Sequence, residues 1–168
     1  MSDFSVLGVD TSLRSSGIAV VESCGTRMLA REYTRLRIPQ KEPLSECLRR
    51  IYEAIAETIR RHTPVAVAVE GIFYCKNVKT AVILGESRGA VIAAASAAGI
   101  SIYEYAPRRV KQAVVGAGGA SKEQVRRMVS SLLGLAEEPQ EDEADALAIA
   151  LCHLHQMTRH AALAPKPL

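Results

Sequence analysis

Residues 4–36 read FSVLGVDTSLRSSGIAVVESCGTRMLAREYTRL. Phe4–Asp10 alternates and then turns apolar, which predicts a buried strand. Ser16–Glu22 and Arg27–Leu36 follow, rich in β-formers and separated by short polar or glycine-containing turns. Three short consecutive strands predict an antiparallel meander.

Beyond residue 36 the period changes. Leu44, Cys47, Leu48, Ile51, Tyr52, Ile55 and Ile59 recur at helical spacing, with Pro43 suited to the helix start. Val65–Glu70 (VAVAVE) reads as a short buried strand, Val78–Ala98 as a long alanine-rich helix and Ile100–Tyr105 as another strand. Pro107 opens a short helix that stops at Gly116–Gly119. Ser121 starts the next helix, with Gln124 placed for a capping box. A last helix runs from about Glu141 to Gln156. Three antiparallel strands followed by strands alternating with helices predict an α/β fold, a mixed sheet with helices on its faces.

The 168 residues suit one domain, expected to span 1–157 with a flexible tail over 158–168 that ends Ala-Pro-Lys-Pro-Leu. No secretory leader pattern and no long apolar run is present, and the four cysteines (Cys24, Cys47, Cys75, Cys152) are scattered without a CxxC. These features predict a cytoplasmic protein with reduced thiols and no zinc site. The net charge of +3 hides an asymmetry. Six of the 18 acids fall in EEPQEDEAD (137–145), leaving 12 acids against 21 bases elsewhere. A basic body with one acidic spot suits a polyanion ligand with a cation site inside its footprint; it equally suits a soluble protein with an acidic surface loop.

Four carboxylates stand out. Asp10 closes the first strand and Glu70 the fourth. If those strands lie side by side and parallel, both acids reach one edge. Asp142 and Asp145 are three apart, so on a helix they share a face that continues through Ile149 and Cys152 into the apolar side. Each acid alone has an ordinary explanation, as a turn residue or a helix-start charge. Together they match what phosphodiester hydrolysis needs. An attacking water, a charged transition state and a charged leaving oxygen are all served by two divalent cations about 3.5–4 Å apart. Oxygen ligands of this kind suit Mg²⁺.

Candidate nucleic-acid contacts cluster in two places. Phe73 and Tyr74 sit in GIFYCKNVK with Lys76 and Lys79 beside them, where rings could stack on bases and lysines hold phosphates. Lys111 lies on the short helix and Lys122 starts the next, with the glycine-rich Gly116–Gly119 between them. Gly85, Gly89, Ala90, Ala94 and Ala95 on the long helix permit close approach of another helix, from a second subunit or from within the fold.

The motifs LGVDTSLRSSG, AVEGIFYCKN, LGESRGA, APRRVKQAVVGAGGASKEQV and EDEADALAIA, in this order, resemble the RuvC family of Holliday junction resolvases over roughly residues 5–156. The resemblance implies a ribonuclease H-like mixed five-stranded sheet with helices on both faces. It implies a homodimer that nicks junction strands in pairs, with two Mg²⁺ per active site, Mn²⁺ able to substitute, in recombination and repair. Its partners would be four-way junction DNA and a branch-migration motor of the RuvA–RuvB type. The catalytic acids would be Asp10, Glu70, Asp142 and Asp145; Lys111 and Lys122 would bind DNA near the cleft, and Phe73 would be the junction wedge. One departure is visible. The family usually has Asp-Pro-Gly after the first strand, whereas Thr11 and Ser12 follow Asp10 here, and Gly17 is retained. Hydroxyls can make such a turn.

Two other classes share parts of the pattern. A phosphotransferase of the actin-like superfamily also places Asp after a first strand, but the chain is short for two domains and has no second glycine-rich nucleotide loop. A related ribonuclease H-like nuclease acting on another substrate would share the metal chemistry.

Overall fold

The computed structural model describes residues 4–72, 77–159 and 166–168. Three strands come first: β1 (Phe4–Asp10), β2 (Ser15–Cys24) and β3 (Arg27–Arg37). Then α1 (Leu44–His62), β4 (Ala66–Glu70), α2 (Val78–Ala97) and β5 (Ser101–Tyr105) alternate, followed by α3 (Pro107–Val115), α4 (Lys122–Leu133) and α5 (Glu141–Arg159). The sheet order is β3-β2-β1-β4-β5. The first three strands form the expected antiparallel meander, and β1, β4 and β5 are mutually parallel.

Central β1 and β4 are covered on both faces, which is why VLGV and AVAV run apolar without alternation. On one face α1 and α2 pack over Leu7, Val9, Val20 and Val69. The α1 stripe is narrower than its sequence suggests: Cys47, Ile51, Ile55 and Ile59 are buried, while Leu44 and Tyr52 stay exposed. On the other face α5 lies on the sheet beneath α3 and α4. Every residue from Ala146 to Leu154 on it is buried, so this helix has no solvent side along that stretch.

Two glycines set how closely α5 lies. A Cβ on Gly8 would stand 2.2 Å from the Ala146 carbonyl oxygen, and one on Gly17 would stand 1.8 Å from that of Asp142. Backbone therefore rests on backbone where the helix crosses β1 and β2, a contact that no side chain permits.

On α2, Ala94 and Ala95 are buried within the fold, but a Cβ on Gly85 or Gly89 would meet nothing within 4 Å. The small-residue stripe thus splits: its alanines serve this fold and its glycines face outward. At the other end of the chain α5 runs past Thr158 to Arg159, and the Leu168 amide donates to the Ile102 carbonyl of edge strand β5 at 2.9 Å.

Candidate active site

Val9 of β1 pairs with Val69 of parallel β4, so the next residues, Asp10 and Glu70, leave the sheet side by side at one edge. Asp10 lies opposite Gly17 in the β1–β2 ladder. The bare Gly17 brings the first turn of α5 down beside it, and with it Asp142 and Asp145. That turn is fixed by the Gln140 amide donating to Glu143 Oε2 at 2.9 Å and by the Ala144 amide donating to the Gln140 carbonyl at 2.8 Å. Lys122 is placed by a full capping box. The Gln124 amide donates to Ser121 Oγ at 3.2 Å, and the Ser121 amide donates to Gln124 Oε1 at 2.8 Å.

Asp10, Glu70, Asp145, Lys111 and Lys122 line one cavity of about 260 Å³, backed by Val110, Val125, Ala148 and Ile149. Asp142 does not line it. Its Oδ2 accepts a short hydrogen bond from Ser15 Oγ, and Arg35 Nη1 stands 3.8 Å away. Three of the four acids thus line the cavity, and Asp142 stands beside it, close enough for its charge to act on Asp10 and Asp145. Among the described residues, no three acidic, histidine or cysteine side chains are gathered tightly enough to enclose one cation as they stand. Asp142 is turned to Ser15 and Arg35, and Lys122 pairs with Glu141 while lying 3.8 Å from Asp145.

Burial pushes the Asp10 carboxyl up to about 7, with Asp145, Glu70 and Asp142 adding repulsion and Lys122 opposing. Glu70 is raised by burial and by Asp145, against Lys122 and Lys111. Asp145 is raised by burial, against Lys122 and with Glu141 and Asp142 adding to the rise. A hydrogen bond to Glu141 holds the Lys122 ammonium above its ordinary range. The donors are all carboxylate oxygens, a hard set that fits Mg²⁺ or Mn²⁺ and has no soft ligand for zinc. Their crowding is a charge penalty that a divalent cation removes.

Lys79 is exposed in the first turn of α2 and does not line the cavity. Phe73, Tyr74 and Lys76 lie outside the described residues. The turn after Asp10 is closed by a hydroxyl, though not by those of Thr11 or Ser12. Ser16 Oγ donates to the Ser12 carbonyl at 2.6 Å and accepts from the Ser12 amide at 3.1 Å. Thr11 Oγ1 is buried without a partner among the described residues.

Sequence reasoning missed Ser15 and Arg35 as neighbours of Asp142. Ser15 was within reach, because it shares a strand face with Gly17 two residues on. Arg35 was not, because its pairing with Gly17 depends on a register shift between Val20 and Val21.

A mixed five-stranded sheet that brings carboxylates from two parallel central strands and from a helix laid across them defines a metal-dependent nuclease of the ribonuclease H-like class. The family described as "Crossover junction endodeoxyribonuclease RuvC" matches residues 6–153, and the chain belongs to that family. It is 44% identical over 150 residues to the crossover junction endodeoxyribonuclease RuvC of Marinobacter nauticus, covering 89% of this chain and 85% of the relative. It is 46% identical to that of Halorhodospira halophila, covering 89% of each. Among solved structures, T. thermophilus RuvC in complex with Holliday junction substrate superposes with a TM-score of 0.91 at 38% identity, over 98% of this chain and 99% of the other. The yeast mitochondrial Holliday junction resolvase Ydc2 shares the fold at a TM-score of 0.69 and 11% identity, over 94% of this chain and 80% of the other.

Proposed function

We infer that this chain resolves four-way (Holliday) DNA junctions by paired symmetric nicks, in homologous recombination and DNA repair. The observation that carries the reading is the cavity in which Asp10, Glu70 and Asp145 face Lys111 and Lys122. It joins carboxylates for cations to ammonium groups for phosphate in a single recess, within a chain of this family.

Asp10, Glu70 and Asp145, with Asp142 at the rim, are the residues that would hold two Mg²⁺, with Mn²⁺ able to substitute. Bound cations would supply an activated water at neutral pH and offset charge on the scissile phosphate. Lys111 and Lys122 hold phosphate oxygens at the cavity. Lys122 exchanges Glu141 for DNA as it does so. The apolar back wall of Val110, Ala148 and Ile149 keeps bulk water from behind the carboxylates. Phe73 wedges into the junction centre, with Tyr74, Lys76 and Lys79 holding the strands next to it.

The active unit is a homodimer. The support is α2, where Val78 is 81% and Val82 53% exposed on the same stripe as the outward-facing Gly85 and Gly89. Two cuts at a nearly two-fold substrate suit a two-fold pair of sites. Gly89→Leu would give a monomer in sedimentation analysis; a dimer unchanged by it would point to another face. The partner that drives the branch point is a motor of the RuvA–RuvB type, and the setting is the cytoplasm. Among the described residues no helix is long and apolar enough to cross a membrane.

The test is incubation with a synthetic four-way junction, a linear duplex and an RNA–DNA hybrid, with and without Mg²⁺. Paired nicks confined to the junction and to Mg²⁺ are expected. Preferential cutting of the hybrid would instead make the chain a ribonuclease H-like nuclease with another substrate.

A further inference from the structure

Face alternation along β3 brings a second basic element to the site. Gly17 faces α5, since a Cβ there would strike Asp142. Arg35 is its cross-strand partner and faces the same way, with Nη1 3.8 Å from Asp142. Two residues on, Ser15 reaches Asp142 with its hydroxyl, and its cross-strand partner is Arg37. Paired residues of a ladder share a face, so Arg35 and Arg37 both stand on the side of the sheet that carries the carboxylates. Strand β3 is the sheet's edge, and Arg37 is exposed there.

Three other arginines of this side of the chain are already engaged. Arg14 is spent on the Pro39 and Glu42 carbonyls at 2.6 and 3.0 Å and on Cys47 Sγ at 3.1 Å. Arg31 pairs with Glu22, and Arg61 with Glu32. Arg37 has no ion pair or side-chain hydrogen bond among the described residues. Among the described residues Arg35 has only the long contact to Asp142, whose Oδ2 is already held by Ser15, so Arg35 can leave without freeing that carboxylate.

We propose that Arg35 and Arg37, side by side on edge strand β3 beyond Asp142, form a second phosphate-binding row that grips the DNA strand on the flank of the carboxylates opposite Lys111 and Lys122. Lys111 and Lys122 line the cavity with Glu70 and Asp145. The arginines stand past Asp142, the one acid outside that cavity. Alternate residues on a strand are about 6.8 Å apart, close to the step between successive phosphates along a nucleic-acid strand. Guanidinium groups also suit phosphate in a paired, forked contact. A strand held on both sides cannot swing about the scissile phosphate, and this is the positioning that an in-line displacement needs. The proposal rests on the junction-cutting reading for the identity of the ligand, and it extends that reading to a surface outside the cavity.

The experiment is fluorescence anisotropy of a labelled four-way junction without divalent cation, across a series of KCl concentrations. It compares the wild type with Arg35→Ala, Arg37→Ala, Arg37→Lys and Lys111→Ala. Each alanine variant on β3 is expected to bind several-fold more weakly near 0.1 M salt. Each should also lower the slope of log affinity against log salt by up to about 0.9. Arg37→Lys should recover most of the slope, because the charge remains, and its melting temperature should hold, because Arg37 is exposed and has no ion pair among the described residues. An unchanged slope and affinity in both β3 alanine variants, with Lys111→Ala losing both in the same series, overturns the row and leaves the junction reading intact. A wild type that binds no junction overturns both.

Discussion

The Asp142 carbonyl oxygen lies 1.8 Å from where a Cβ on Gly17 would stand. Gly17 is also the ladder partner of Asp10. One missing methyl group therefore sets the distance between the strand-borne and helix-borne acids. Gly17→Ala must lift the start of α5. The clash is with backbone, so the cost should reach about 3 kcal/mol, the upper end for overpacking. A displacement of the α5 acids by about 1 Å should lower the nicking rate on the order of 100-fold. A melting curve and a single-turnover nicking assay check both, and a variant that melts and cuts like wild type would mean that α5 does not rest on β2.

Asp10→Asn, Glu70→Gln, Asp142→Asn and Asp145→Asn should each abolish or severely reduce cutting while junction binding survives, because affinity comes from the Lys and Arg contacts. Asp10→Asn should in addition stabilise the cation-free protein. Its folded pKa stands above the unfolded value, so the carboxylate's contribution to stability falls as pH rises from about 4 through 7. In EDTA at pH 8 the gain should be on the order of 2–4 kcal/mol, and it should shrink at pH 5. Melting curves at the two pH values measure it; equal gains at both would remove the buried-charge account.

Lys111→Ala and Lys122→Ala should weaken junction binding more at low salt than at high salt. Lys122→Ala has a second signature. It strips Asp145 and Asp10 of their nearest cation, so the cation-free protein should lose stability toward high pH. A Lys122 variant with wild-type salt dependence and wild-type melting would be an ordinary surface substitution.

Phe73→Ala should melt within about 1 kcal/mol of wild type and lose junction distortion worth about 1–3 kcal/mol per stacked base. Fluorescence of 2-aminopurine at the junction centre reports the distortion. The opposite pattern, a drop of about 3–5 kcal/mol in stability with normal fluorescence, would make Phe73 a core residue.

His153 gives a pH response of opposite sign to that of Asp10. It is buried, shares a hydrogen bond between Nδ1 and the Tyr105 hydroxyl at 2.7 Å, and burial lowers its pKa to about 4. The folded value lies below the ordinary 6.5, so its share of stability is complete above 6.5 and is lost as pH falls toward 4. That share is about 3 kcal/mol. His153→Gln should flatten the fall in melting temperature between pH 6.5 and 4; an unaltered slope would show that His153 protonates freely in the fold.

The order and type of the elements were legible because β1 and β4 run apolar where both faces are covered, and because the helices announce themselves by period, Pro107 and the Ser121–Gln124 box. Asp10 and Glu70 were legible as strand ends. What the sequence did not carry is cross-strand and cross-layer geometry. Arg35 reaches Asp142 only through a ladder with a register shift, and Gly17 reads as one more residue of the Ser16–Glu22 strand until the helix lies on it. The outward turn of Gly85 and Gly89 was undecided for the same reason: a helix whose apolar residues are spread around its circumference has no face to read.

The burial of α5 from Ala146 to Leu154 has a kinetic consequence. Amides this deep, beneath two helices and on the central strands, have no local fluctuation that brings them to solvent, so they should exchange with deuterium only when the whole chain opens. Asp142 and Asp145 ride on the end of that slowest segment. Loss of cutting in denaturant should therefore coincide with global unfolding and not precede it, giving a nuclease that fails all at once, with no range of conditions in which it is folded but loosely assembled.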